Sequence, residues 1–222
     1  MVDEAAEATQ QSQTSDDQPA EPKKISAVEK FKLSAAVFSS PGFSWLVMAN
    51  GAMFMGFQMR NMGQAWLVLE LTDSAFMVGL VNAMPSMALL LLSPVGGVLA
   101  DRLNKRTVAL RGRFFVMIIS FGVAFLVGSG GVEVWHLLIT GLLLGVAFAL
   151  SNPSSQTIVM DIVGRKRMVS AISVNNSISN LGTMIGPAVG GLLIANYGNA
   201  AMFWLTAGIY VFAYAGFLGV PG

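Results

Sequence analysis

Long uncharged stretches dominate the pattern of hydrophobic and polar positions along the chain. Four of them contain no charged residue: Ala75–Ala100, Phe114–Val132, Val134–Met160 and Met168–Gly222. About 20 apolar residues are needed for a helix to cross a bilayer core, so each stretch can cross once and the last can cross twice. With the apolar segment on both sides of Arg60, the pattern predicts six transmembrane helices.

The six predicted spans form an all-α integral membrane domain covering residues 35–222. They lie at about 42–71, 75–100, 107–128, 135–159, 169–195 and 200–219. Residues 1–34 are rich in Ala, Gln, Ser and acidic residues, and too few of them are apolar to offset the entropy of ordering. We therefore expect residues 1–34 to form a disordered cytoplasmic tail. This tail lacks the charged start and apolar core of a signal peptide.

The composition agrees with a membrane protein. Hydrophobic residues make up 54% of the chain and charged residues only 11%, against about 25% charged in an average soluble domain. The chain has no cysteine and one histidine, His136, which disfavours thiol chemistry and histidine-built metal sites. We expect no cofactor, no metal, no nucleic-acid partner and no enzymatic activity.

The distribution of basic residues predicts the topology. Of the 13 Lys and Arg residues, all but Arg60 fall in three groups: four in the tail, five between spans 2 and 3 or at the start of span 3, and three between spans 4 and 5. The positive-inside rule places these groups, and both termini, in the cytoplasm. Aromatic residues suited to the headgroup zone fall at the predicted outer ends: Trp66, Trp135, Tyr197 and Trp204. We expect a multi-pass protein of the plasma or inner membrane.

Polar positions separate the spans by role. Spans 3 and 6 are almost uniformly apolar and aromatic, which is typical of helices that face lipid. Polar stripes follow helical spacing on span 1 (Asn50, Arg60, Asn61, Gln64), span 4 (Ser151, Asn152, Ser155, Gln156) and span 5 (Ser173, Asn176, Asn180, Thr183). Since polar groups are costly in hydrocarbon, these stripes are predicted to face other helices or a wet cavity.

Five residues are candidates for a substrate cavity: Arg60, Asn61, Gln64, Asn152 and Gln156. An ionisable residue within a span is a functional hypothesis by default. The alternative for Arg60 is that it reaches the outer interface or pairs with Glu70 or Asp73. The alternative for the amides is that they hydrogen-bond neighbouring helices together.

A weak internal repeat relates the two halves of the membrane domain. Pro94-Val-Gly96-Gly97 ends span 2, and Pro187-Ala-Val-Gly190-Gly191 lies in span 5. Each segment belongs to the second helix of a group of three, and the two groups cross the membrane in opposite senses. This is the pattern of a 3+3 inverted repeat.

The loop between spans 2 and 3 resembles motif A of the major facilitator superfamily. The matching residues are Gly97, Asp101, Arg102, Lys105 and Arg106. Span 5 resembles motif C, which that superfamily associates with exporters of the antiporter type, at Gly182, Gly186, Pro187, Gly190 and Gly191. The segment beginning Trp66-Leu-Val-Leu-Glu is similar to the subgroup of enterobactin-type and multidrug exporters.

This resemblance implies conformational roles for both motifs. Motif A would tie two six-helix halves together on the cytoplasmic side, with Asp101 capping or pairing across the contact. The alternative is that Arg102, Lys105 and Arg106 only anchor the topology. Motif C would supply a bend that acts as a hinge or a barrier to leak, or else only close helix packing.

Two features depart from the superfamily pattern. Gly141 stands where motif B would place an arginine, and the chain carries six predicted spans instead of twelve. The resemblance therefore implies one half of an exporter of amphipathic small molecules, with a second six-helix half from a separate chain or a second copy. The alternative is a truncated or non-transporting membrane interaction or anchor protein that retains the half-fold.

Overall fold

The computed structural model describes residues 42–102, 104–164 and 168–219, and within them it leaves the side chains of 93–102, 105, 150–157 and 159–161 undefined. The regular elements of the described residues are all helices. They are α1 (Phe43–Thr72), α2 (Ala75–Arg102), α3 (Lys105–Gly128), α4 (Val134–Val163) and a last element, Met168–Leu218. Gly198 interrupts this last element with φ 80° and ψ 174°. We name its two helices α5 (168–197) and α6 (199–218).

Each predicted span coincides with one of these helices. The largest difference is at the end of α4, which is predicted at 159 and reaches Val163. Three elements contain segments long and apolar enough to cross a membrane: Ala75–Leu92, Arg106–Gly128 and Met168–Leu218. Val134–Ala149 is a shorter apolar segment. The all-helical membrane architecture is therefore supported, while the number of crossings, the inverted repeat and the orientation stay predictions. The predicted tail lies outside the described residues.

Local signals explain where the helices begin and end. Asn104 caps α3, because its side-chain oxygen accepts hydrogen bonds from the backbone N–H groups of Arg106 (3.0 Å) and Thr107 (3.4 Å). These are two of the N–H groups that a helix start leaves without a partner. Asp73 ends α1 in the left-handed conformation, with φ 47°, and its N–H donates to the Leu69 carbonyl. A turn of two residues, Asp73 and Ser74, thus joins α1 to α2.

Backbone contact between α1 and α5 positions the candidate site. A Cβ atom built on Gly182 would lie 2.6 Å from the Gly51 carbonyl oxygen, and one on Gly186 would lie 2.6 Å from the Met55 carbonyl oxygen. These distances leave no room for a side chain. Small residues are what allow membrane helices to approach this closely.

The contact between α2 and α4 is built in the same way. A Cβ atom on Gly145 would lie 2.4 Å from the Pro85 carbonyl oxygen. At Gly141, a Cβ atom would lie 3.3 Å from Cβ of Met84. Glycines thus bring helix backbones together in both pairs.

The burial of α3 corrects one sequence interpretation in part. Its outward face is aromatic and exposed, as expected for a lipid-facing helix, with Phe115 57% and Phe125 65% exposed. The opposite face is buried and carries Arg113 and Ser120. The helix is therefore not uniformly apolar, since a cation and a hydroxyl lie on its inner side.

Candidate functional site

The centre of α1 carries two fully buried polar side chains. Arg60 and Gln64 are each 1% exposed, and their spacing of four residues places them on one face of the helix. Among the described residues, none of the three guanidinium nitrogens of Arg60 has a hydrogen-bond partner, and neither has Oε1 of Gln64. Buried polar atoms are nearly always paired in folded proteins, so these four atoms need an explanation.

Tyr210 on α6 completes this cluster. Its ring packs directly on Gly56, where a Cβ atom would lie 3.0 Å from Cε1 and 3.2 Å from Cζ of the tyrosine. Gly56 precedes Arg60 by one helical turn, so the ring packs on the face of α1 that carries the arginine. The Tyr210 hydroxyl is buried and also lacks a hydrogen-bond partner among the described residues. We call Arg60, Gln64 and Tyr210 the α1–α6 polar cluster.

No described carboxylate pairs with Arg60. Glu70 accepts hydrogen bonds from the Trp66 indole (2.7 Å) and from the Asn199 amide (2.6 Å). Ten residues of helix separate Arg60 from Glu70, which is about 15 Å along the axis. Arg60 also does not reach the surface, so the structure supports neither the ion pair nor the interfacial position that the sequence left open.

The other cavity candidates do not join the cluster. Asn61 is half-buried, and its amide donates to Oε1 of Gln58 at 3.4 Å. The structure does not describe the side chains of Asn152 and Gln156. The same holds for Asp101, Arg102 and Lys105 of the motif A segment, and Gly97 lies in the same undefined part of α2. Of that motif, the structure describes only the side chain of Arg106, which donates to the Leu218 carbonyl at 3.1 Å.

A second buried polar network links α3, α1 and α5. Arg113 donates from Nη2 to the side-chain oxygen of Asn50, and Asn50 donates to the Asn175 side-chain oxygen at 2.7 Å. The Arg113 guanidinium also lies 4.1 Å from the centre of the Phe217 ring. The sequence interpretation missed this role, because Arg113 was grouped with the basic residues that set topology. Its position two turns inside an apolar helix was the available signal.

The motif C segment lies at the backbone contact between α1 and α5. Gly182, Gly186 and Gly190 are buried against α1, and the helix continues through Pro187. The single non-helical residue within Met168–Leu218 is Gly198, seven residues beyond the motif. The described geometry thus fits close packing, and it has no interruption of the helix at Pro187 or Gly190.

A family model described as "Transmembrane secretion effector" matches residues 33–219, a range that includes all of the described residues. The chain belongs to this family of the major facilitator superfamily. The superfamily assignment made from the motif A and motif C segments is thereby confirmed. The chain is a multi-pass membrane protein.

Curated relatives match part of this chain. Multidrug resistance protein MdtG of Salmonella typhimurium is 31% identical over 149 residues, which are 64% of this chain and 34% of that protein. MdtG of Citrobacter koseri is 27% identical over 143 residues, with the same shares. The matched segment therefore spans about a third of the length of the curated relatives.

Helix packing accounts for the departure from the superfamily pattern at motif B. Gly141 is buried against α2, with Cβ of Met84 and Cδ of Pro85 3.3 Å and 3.5 Å from where a Cβ atom would lie. A side chain at this position would need Met84 to shift by a few tenths of an ångström. The close contact between α2 and α4 therefore leaves little room for that basic side chain.

Proposed function

We propose that the chain is one six-helix half of an exporter, which moves amphipathic small molecules out of the cytoplasm by alternating access. The helices α1 and α4 would line the cavity, α2 and α5 would face a second half, and α3 and α6 would face lipid. Both termini and the two basic loops would be cytoplasmic, in the plasma or inner membrane. Membership of the family and the likeness to MdtG support this assignment.

The observation that carries the proposal is an exposed polar stripe on α5. Asn176 and Asn180 are exposed, and their side chains have no hydrogen bond to a described residue. An unpaired amide is costly in hydrocarbon. This stripe therefore favours an aqueous cavity or a second protein surface over lipid at this face of α5.

Exposed apolar side chains extend the same surface. Met184 on α5 is 74% exposed and Leu192 is 66% exposed, while Leu90 and Leu91 on α2 are 78% and 71% exposed. The inner part of the α5 face is thus polar and the outer part apolar. Such a division suits a six-helix half whose apolar outer part contacts the second half and whose polar inner part borders a cavity.

A second half would be a further six-helix segment, supplied within a longer polypeptide, by a separate chain or by a second copy of this chain. The two halves of the superfamily are related by an axis along the membrane normal. Two copies inserted in the same orientation can satisfy that relation, which makes a dimer of this chain a workable transporter.

Reconstitution tests the proposal. The purified chain is inserted into liposomes loaded with 8-anilinonaphthalene sulfonate or with ethidium, and dye release is followed by fluorescence. Blue-native electrophoresis of the same preparation gives the oligomeric state. We expect a dimer and dye flux above that of empty liposomes, while Asn176→Leu with Asn180→Leu should reduce flux. A strict monomer without flux would instead favour the non-transporting interaction or anchor protein.

A further inference from the structure

The α1–α6 polar cluster holds a buried cation that has no counter-charge among the described side chains. We propose that Arg60, Gln64 and Tyr210 bind the carboxylate of an amphipathic organic anion. This inference rests on the proposed function, because it names the substrate class of that exporter. It goes further than the assignment of a cavity, since it commits to the sign and the geometry of the ligand's polar group.

The charge balance of the described residues is the first argument. Three carboxylates have described side chains, Glu70, Asp73 and Glu133, and all lie at or just beyond the ends of helices. Arg60 lies mid-helix and is 1% exposed. Removing an ion from water costs on the order of several kcal/mol unless an opposite charge or hydrogen bonds compensate for the lost hydration. A bound anion supplies both.

The donor set fits a carboxylate. A guanidinium presents a planar fork that matches the two oxygens of a carboxylate, and all three Arg60 nitrogens are free of protein partners among the described residues. The Tyr210 hydroxyl can donate a third hydrogen bond. Gln64 can present its amide nitrogen to the same group, because rotation of the amide exchanges its oxygen and nitrogen.

Apolar side chains surround these donors and indicate an amphipathic ligand. Tyr210 belongs to a buried cluster that includes Met53, Val116 and Leu144. Near this cluster, the rings of Phe57 and Phe148 pack edge to face at 5.0 Å. A ligand with one anionic group and an apolar body matches a few charged or polar donors set in such walls.

The position of the cluster argues against a carboxylate from another protein chain. Arg60 and Tyr210 are each 1% exposed, and both are covered by helices of this chain. A side chain of a second half would meet the outer faces of α2 and α5 first. A small molecule would enter this site as the helices separate, whereas a side chain of a docked chain would have to cross the helices that cover the cluster.

Thermal unfolding in lipid nanodiscs tests the proposal without requiring transport. Octanoate, acetate, octanol and octyltrimethylammonium are titrated at constant ionic strength, and unfolding is followed by tryptophan fluorescence. We expect octanoate to raise Tm of the unmodified chain by roughly 5 °C at 100 times its Kd. Octanol and the ammonium compound should give no such rise.

Variants assign the effect to the cluster. Arg60→Gln should abolish the octanoate shift, and Tyr210→Phe, which removes one hydroxyl, should weaken octanoate binding by several fold. Arg113→Gln removes a similarly buried cation elsewhere in the bundle and should retain the shift. If Arg60→Gln does not fold, Tyr210→Phe against Arg113→Gln still decides the assignment.

The proposal would be overturned if octanoate did not raise Tm, or if octanol or the ammonium compound raised it equally. It would also be overturned if the rise in Tm persisted in Arg60→Gln, kept its full size in Tyr210→Phe, or was lost in Arg113→Gln. An acetate shift as large as that of octanoate would overturn the amphipathic class. Binding with no flux in liposomes would contradict the proposed function alone, and flux without octanoate binding would contradict this inference alone.

Discussion

Arg113 on α3 donates a hydrogen bond to the side chain of Asn50 on α1, and both residues are more than nine-tenths buried. Asn50 in turn donates a hydrogen bond to the side-chain oxygen of Asn175 on α5. Three helices that are far apart in the sequence are thus joined through one asparagine. The network satisfies part of a buried guanidinium with neutral partners.

Asn50→Ala should destabilise the fold. It leaves the Arg113 guanidinium buried without its hydrogen-bond acceptor, at a cost of about 1.5–3 kcal/mol. The loss is measured as a lower Tm in detergent by tryptophan fluorescence. Asn61→Ala is the matched control, because Asn61 is half-buried and makes one long hydrogen bond within its own helix. Equal losses in the two variants would show that the network adds nothing.

Gly182→Ala should weaken the contact between α1 and α5. Its new Cβ atom would lie 2.6 Å from a backbone oxygen, which cannot move without shifting the helix, and overpacking of this kind costs about 1–3 kcal/mol. Gly208→Ala is the control, since no atom lies within 4 Å of its Cβ position. We expect a lower Tm for the first variant and an unchanged or higher Tm for the second. The reverse order would contradict the packing.

Gly198→Ala should strain the turn between α5 and α6. Gly198 has φ 80° and ψ 174°, a region that residues with a Cβ atom avoid at a cost of about 1–3 kcal/mol. Space is not the limit, because nothing lies within 4 Å of the Cβ position. We expect a lower yield of monodisperse protein in size-exclusion chromatography than for Gly208→Ala. Equal yields would show that the backbone accepts another conformation.

The orientation can be tested by labelling single cysteines, and the chain offers a background with none. Thr107→Cys near the start of α3 and Gly131→Cys before α4 are both exposed. An impermeant maleimide applied to intact cells should label Cys at 131 and should reach Cys at 107 only after the cells are lysed. Labelling of both positions in intact cells would overturn the predicted topology.

Most helix ends could be predicted from the sequence because charges mark them, except for the boundary between α5 and α6 in the uncharged stretch 168–222. A charge at mid-bilayer is costly, so the uncharged stretches have to match the membrane thickness. Asn104, which begins α3, and Asp73, which ends α1, lie at the predicted boundaries. Close helix packing at Gly182 and Gly186 was likewise an alternative that their spacing indicated, although the spacing did not identify α1 as the neighbouring helix.

The partners of the buried polar residues could not be predicted in this way. Helical periodicity places Arg60 and Gln64 on one face, but it does not say that Tyr210, 150 residues later in the numbering, lies against Gly56. The link between Arg113 and Asn50 depends in the same way on how α3 packs against α1. Periodicity describes one helix at a time, whereas these contacts depend on the packing of several.

The glycine contact between α1 and α5 also has a mechanical consequence. Gly182 and Gly186 pack on carbonyl oxygens one turn apart, so a rotation or a one-residue slide of α5 would bring larger side chains against the backbone of α1. We therefore expect the two helices to move together. Any rocking that opens the bundle has to take place where α1 and α5 meet other helices, and a rotation of α1 would carry Arg60 with it.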